Sequence, residues 1–179
     1  MRALTLRTPR LELVASTLEL AHADLAGRDA FANAIGADVP ESWPPPLNDE
    51  ASQRWIVHLL ETSTNGVGWA AWYFIHREAT RRTVIGNGGF KGPPTTDGTV
   101  EIGYSVIEAE QRRGIAPEAA GALVSWAFSH PEVRRVIAHT LTDGRPSMRV
   151  LEKCDFHFVG PGEEEGTVLF ERLRPAGVA

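Results

Sequence analysis

The sequence predicts an α+β fold on a mixed, mostly antiparallel sheet of about seven strands with about four helices. Three observations point there. Strand patterns cluster in the middle of the chain, separated by short polar or Gly/Pro-rich turns, which makes them antiparallel neighbours. A long segment with apolar residues three and four apart follows them. One more β-branched run comes after that helix, giving a single strand-helix-strand crossover whose hand should be right.

The elements follow in order. Residues 4–15 alternate Leu4, Leu6 and then Leu11, Leu13 with charged residues, the pattern of a strand interrupted at Pro9. Residues 17–25 put Leu18, Ala21 and Leu25 at helical spacing, with Ser16 or Thr17 as cap. From 27 to 48 regularity fades, and Trp43-Pro44-Pro45-Pro46 reads as a stiff loop because proline donates no hydrogen bond. Asn48 or Asp49 caps a helix carrying Trp55, Ile56, Leu59 and Leu60 on one face and ending near Asn65-Gly66. Strand patterns then occupy 68–76, 83–91 and 99–107. The helix after them carries Ala116, Ala119, Ala120, Leu123, Val124, Ala127 and Phe128 on one face, which must pack on the sheet. Residues 133–141 form a further strand and 147–153 a short helix; 156–159 and 167–173 close as a hairpin about Gly160-Pro161-Gly162.

The 179 residues are expected to form one domain, residues 1–179. Hydrophobic residues at 42% and charged residues at 23% are globular proportions. A net charge of -5 with no stripe of Lys and Arg argues against a nucleic-acid partner. No signal-peptide core opens the chain and no run of about 18 uncharged apolar residues occurs, so a cytoplasmic protein without a membrane partner is expected. Cys154 is the single cysteine, which excludes an internal disulfide. The 6 histidines show no metal-ligand spacing, so no metal is expected.

The most informative segment is Gln111-Arg112-Arg113-Gly114-Ile115-Ala116, where a strand gives way to a helix. The first N–H groups of a helix lack intrahelical partners and the macrodipole adds partial positive charge, so an anion fits there. Gly114 permits a left-handed backbone and close approach, Ala116 is small, and Pro117 sits where its missing N–H costs nothing. Taken alone, this is either an anion cradle or a solvated basic turn. It is no P-loop, since the Gly-Lys-Ser/Thr ending is absent, and the glycines Gly86, Gly88 and Gly89 lie within a strand, not in a dinucleotide fingerprint.

Together with the preceding strand Val100-Glu101-Ile102-Gly103-Tyr104-Ser105-Val106-Ile107, the turn resembles the acetyl-CoA motif of the GNAT acetyltransferases, Gln/Arg-x-x-Gly-x-Gly/Ala. Ser147-Met148-Arg149-Val150-Leu151-Glu152-Lys153-Cys154-Asp155-Phe156 is similar to a helix of the branch holding the ribosomal-protein N-terminal acetyltransferases, and Leu6-Arg7-Thr8-Pro9-Arg10-Leu11-Glu12-Leu13 to its first strand. The resemblance implies a GNAT-like sheet splayed open between the fourth and fifth strands, with acetyl-CoA as acyl donor in the cleft. Its pantetheine arm would bond the backbone near Val106, and its pyrophosphate would sit on the N–H groups of the turn, Gln111, Arg112, Arg113, Gly114, Ile115 and Ala116. It also allows a homodimer. Two positions depart from the pattern: Gly144 replaces an asparagine that helps hold the cofactor, a part Asp143 could take, and Asp155 replaces a glycine at a position of positive φ.

Direct acetyl transfer to an amine needs a base for the amine proton, a donor for the developing oxyanion and an acid for the leaving thiolate. Glu101 is the candidate base, acting through a water; its other reading is a cross-strand partner. Ser147 is the candidate acid; its other reading is a helix N-cap. Tyr104 is a further hydroxyl facing the cleft or the core. His139 is read as a packed histidine, and Cys154 as a small buried hydrophobe in place of a nucleophile. Trp43, Trp55 and Trp72 could line an apolar acceptor pocket, with core packing the more economical account of Trp55 and Trp72. The expected activity is N-acetylation of an amine acceptor, a protein N-terminus or a small amine; the alternative is a weakly catalytic acyl-CoA-binding sensor or interaction protein.

Overall fold

The computed structural model describes residues 4–78 and 80–176. Eight strands form one sheet: β1 (Thr5–Arg7), β2 (Leu11–Ala15), β3 (Ala71–Arg77), β4 (Arg82–Phe90), β5 (Thr99–Val106), β6 (Arg135–Leu141), β7 (His157–Pro161) and β8 (Thr167–Leu173). Their spatial order is β1-β2-β3-β4-β5-β6-β8-β7. Five helices accompany them: α1 (Leu18–Ala26), α2 (Arg28–Ile35), α3 (Glu50–Thr62), α4 (Ile115–Phe128) and α5 (Arg145–Lys153). All neighbouring strands are antiparallel except β5 and β6, joined by the α4 crossover.

The expected mixed, mostly antiparallel sheet is therefore present, with three local corrections. The interrupted strand at 4–15 is a hairpin: Thr8 and Leu11 close the turn around Pro9, and β1 pairs back on β2. The irregular stretch after Gly27 contains α2. Its Phe31 and Ile35, four residues apart, are buried on one face, but these are its only large apolar residues, so its periodicity is faint. The closing hairpin turns at 162–166, where the Gly162 N–H donates to the Thr167 carbonyl, while Gly160 and Pro161 lie within β7.

Thr17 caps α1 and Asp49 caps α3, each by accepting from a backbone N–H three residues on. The centre of the core is β3, where Trp72, Tyr73, Phe74 and Ile75 are fully buried. On the first-half side, Trp43 Nε1 donates to Asp24 Oδ1 (2.7 Å) and Tyr73 Oη to Asp24 Oδ2 (3.3 Å). Burial pushes the Asp24 carboxyl above the usual carboxylate range, against the opposing pull of these bonds. This network ties the proline-rich loop to α1.

The glycine-rich β4 is explained by what lies over it. A Cβ on Gly88 would stand 2.7 Å from the Gly103 carbonyl oxygen and 2.7 Å from Phe74 Cζ. Neither a ladder carbonyl nor a fully buried ring can retreat cheaply. Gly88→Ala is expected to cost about 1–3 kcal/mol of stability in denaturant unfolding; an unchanged midpoint would show that this contact is not limiting.

Candidate active site

The sheet opens between β5 and β6. They pair only where Thr99, Val100 and Glu101 meet Arg135, Val136 and Ile137; beyond Glu101 the strands part. A cleft of about 1460 Å³ occupies the gap. Residues 102–106 of β5 form one wall, and Ala138, His139, Thr140 and Leu141 of β6 with α5 form the other. Gln111, Arg112, Gly114, Ile115 and Ala116 line it at the start of α4, and Leu47, Asn48 and Trp55 line it from the side of α3.

The turn into α4 is built from strained and permissive residues. After a 3-10 turn at Glu108–Glu110, Arg112 takes φ 61° and Gly114 φ 75°, both left-handed. Gly114 is the N-cap of α4 and no side chain caps the helix. The N–H groups of residues 112–116 donate to no described residue, so several backbone donors are left without protein partners at the positive end of a 14-residue helix. The Gln111 side chain is committed to the strand: its Nε2 donates to the Val106 carbonyl (3.0 Å) and fixes the end of β5. Arg113 pairs with Glu110 (2.7 Å) and is not among the lining residues, whereas Arg112 is.

Glu101 sits at the point where β5 and β6 part. Lys91 Nζ (2.5 Å) and His139 Nδ1 (2.9 Å) both meet its Oε1. Lys91 and His139 line the cleft, and Glu101, their shared partner, is not among the lining residues. His139 faces the cleft wall, and its second nitrogen, Nε2, is buried without a partner. The cross-strand partnership anticipated for Glu101 is thus present on both flanks.

Ser147 is not the cap of α5; Gly144 holds that position and Ser147 stands in the first turn. Its Oγ lies 3.2 Å from Tyr104 Oη, which also reaches the Ser147 carbonyl at 3.2 Å. Burial pushes the Tyr104 phenol up to about 12, so it stays protonated at neutral pH. Tyr104 therefore faces the cleft. Asp155 has φ 61°, the left-handed conformation the resemblance implied at that position. Burial also raises the Cys154 thiol, whose Sγ donates to the Pro117 carbonyl (3.4 Å); the thiolate needed for a nucleophile is disfavoured.

Of the three tryptophans, only Trp55 lines the cleft, with 42% of its surface exposed; Trp43 and Trp72 belong to the core. The Ser105 hydroxyl donates to the Pro46 carbonyl, fastening the proline-rich loop to β5. Lys91, Arg10 and Glu118 escaped the sequence reading. The antiparallel register that sets Phe90 against Ile102 puts Lys91 beside Glu101, a signal available only once the pairing is known. Among the described residues no helix is long and apolar enough to cross a membrane, and no group of three or more His, Cys, Asp or Glu could hold a metal ion.

Comparison with known proteins converges on one family. Residues 4–157 match the acetyltransferase (GNAT) domain family. The chain is 28% identical over 153 residues to the uncharacterized N-acetyltransferase YjdG of Bacillus subtilis, covering 84% of this chain and 88% of that one. In structure it is similar to the ribosomal-protein-S5-alanine acetyltransferase of Vibrio fischeri (TM-score 0.64, 16% identity, 97% and 98% of the two chains). It is likewise similar to the microcin C7 self-immunity acetyltransferase MccE in complex with acetyl-CoA and AMP (TM-score 0.64, 16% identity, 93% of each chain).

Proposed function

The chain belongs to the GNAT acetyltransferase family, a family of N-acetyltransferases, and from that premise we propose that it moves acetyl from acetyl-CoA to a primary amine, either a protein N-terminus or a small amine. One observation carries the reading: an uncapped helix N-terminus with unsatisfied N–H groups at residues 112–116 opens onto a cleft made by two parting strands. Donors of that kind suit a pyrophosphate. The resemblance to ribosomal-protein N-terminal acetyltransferases supports the protein-N-terminus option.

When bound, acetyl-CoA would supply an activated thioester. The chain's own groups divide the remaining work. Glu101 accepts the amine proton through a water, since it is not itself among the residues lining the cleft while its partners Lys91 and His139 are. Ser147 Oγ, partnered by the Tyr104 hydroxyl, delivers a proton to the departing sulfur. Val106, its carbonyl steadied by Gln111, offers backbone for the pantetheine arm. Trp55 and Leu47 supply apolar surface on the acceptor side.

The test is release of free thiol from acetyl-CoA across a panel of amines and N-terminal peptides. Amine-dependent release above background is the expected result. Thermal stabilisation by acetyl-CoA without turnover would instead support a sensor, and unchanged stability without turnover would remove the cofactor from the account.

A further inference from the structure

Far from the turn in sequence, the β1–β2 hairpin reaches across and grips it. Arg10 Nη1 donates to the Arg113 carbonyl (2.7 Å) and Arg10 Nε to Glu118 Oε2 (2.7 Å). Glu118 Oε1 accepts from the Arg10 backbone N–H (2.9 Å) and from Thr8 Oγ1 (2.6 Å), and Arg77 Nη2 donates to the Thr8 carbonyl (2.8 Å). Glu118 stands one turn into α4, so the hairpin, the turn and the helix are joined by a single guanidinium.

The Arg113 carbonyl belongs to the same peptide plane as the Gly114 N–H. In a planar trans peptide the two point in opposite directions, so holding the carbonyl aims the N–H. Arg10 is not among the residues lining the cleft and Gly114 is, so a carbonyl drawn toward Arg10 leaves its N–H directed the other way. This is the plane most in need of holding, because the glycine on its C-terminal side, at φ 75°, lets it rotate at little cost. Arg10 also neutralises Glu118, a carboxylate in the first turn that would otherwise repel an anion there.

We propose that Arg10 is a positioning residue, which through the Arg113 carbonyl and its pairing with Glu118 sets the Gly114 N–H for the pyrophosphate of the acyl donor; this rests on the seat assigned above to that turn. Partial burial would raise the Glu118 carboxyl, but its bonds to Thr8 and Arg10 and the Arg10 charge outweigh it and hold the group below its ordinary range, so the pair is ionised at neutral pH. Arg10 is 42% exposed, and partly exposed ion pairs add little to global stability. The consequence should appear in donor binding.

The experiment compares acetyl-CoA with S-acetylpantetheine, which carries the thioester and arm but no pyrophosphate. Wild type should prefer acetyl-CoA in kcat/KM. In Arg10→Ala the KM for acetyl-CoA should rise about tenfold, while kcat/KM with S-acetylpantetheine stays within about twofold. Arg10→Lys keeps the charge opposite Glu118 but cannot bridge two acceptors as a fork, and should show the same selective pattern at smaller amplitude even if the alanine variant folds poorly. Equal loss with both donors would mean a merely structural role, and no loss with either would mean no role; each overturns the proposal. A wild type indifferent to the pyrophosphate would instead overturn the seat itself.

Discussion

Glu101→Gln is expected to lower kcat about 100-fold and leave the KM for acetyl-CoA nearly unchanged. Glutamine keeps the length and one carbonyl oxygen, so the positions of Lys91 and His139 on Oε1 can largely persist. What disappears is the second carboxylate oxygen able to take a proton. A structural Glu101 would behave differently, because losing its charge beside Lys91 would lower stability while turnover stayed near normal. Near-normal kcat at neutral pH would remove Glu101 from the mechanism, whatever its effect on the melting temperature.

The reach of the sequence differed between elements for physical reasons. The antiparallel block β3–β5 and the helix α4 were legible because an apolar run in β3 and an alternating one in β5, set off by polar or Gly/Pro-rich turns, mark strands, while apolar residues three and four apart mark the helix. The β1–β2 hairpin was blurred because the alternation of Leu4 and Leu6 starts again at Leu11 and Leu13 after only a few residues around Pro9, slipped by one position, so two antiparallel strands read as one interrupted strand. Within the site, the anion-binding turn could be read from glycine placement and the helix start, since its contacts are local. The partners that orient it could not: Arg10 and Glu118 lie 108 residues apart, and nothing in either neighbourhood announces the other. His139 shows the same limit. Its identity as a histidine on a strand was plain, but only the parting of β5 and β6 just past Glu101 exposes it on the cleft wall against that carboxylate.

Gly114→Val should weaken acetyl-CoA binding by about one to two orders of magnitude, with a smaller loss of thermal stability, both read by calorimetry and ligand-dependent melting. Two effects combine. At φ 75° an L-residue meets its own carbonyl, costing about 1–2 kcal/mol, and β-branching makes the conformation less accessible still. The new Cβ would also lie 3.3 Å from Arg10 Nη2, against the guanidinium that holds the Arg113 carbonyl. Relief can come from turning the 113–114 peptide, which would swing the Gly114-position N–H away from the cleft along with its carbonyl. Binding should therefore suffer more than folding. Arg112→Ala and Arg113→Ala provide the contrast: Arg113 spends its side chain on Glu110, and a seat made of backbone N–H groups should lose only about twofold to fivefold when either arginine is trimmed. Acetyl-CoA affinity equal to wild type in Gly114→Val would refute the backbone seat, and a larger loss in Arg112→Ala than in Gly114→Val would transfer the phosphate contact to the side chain.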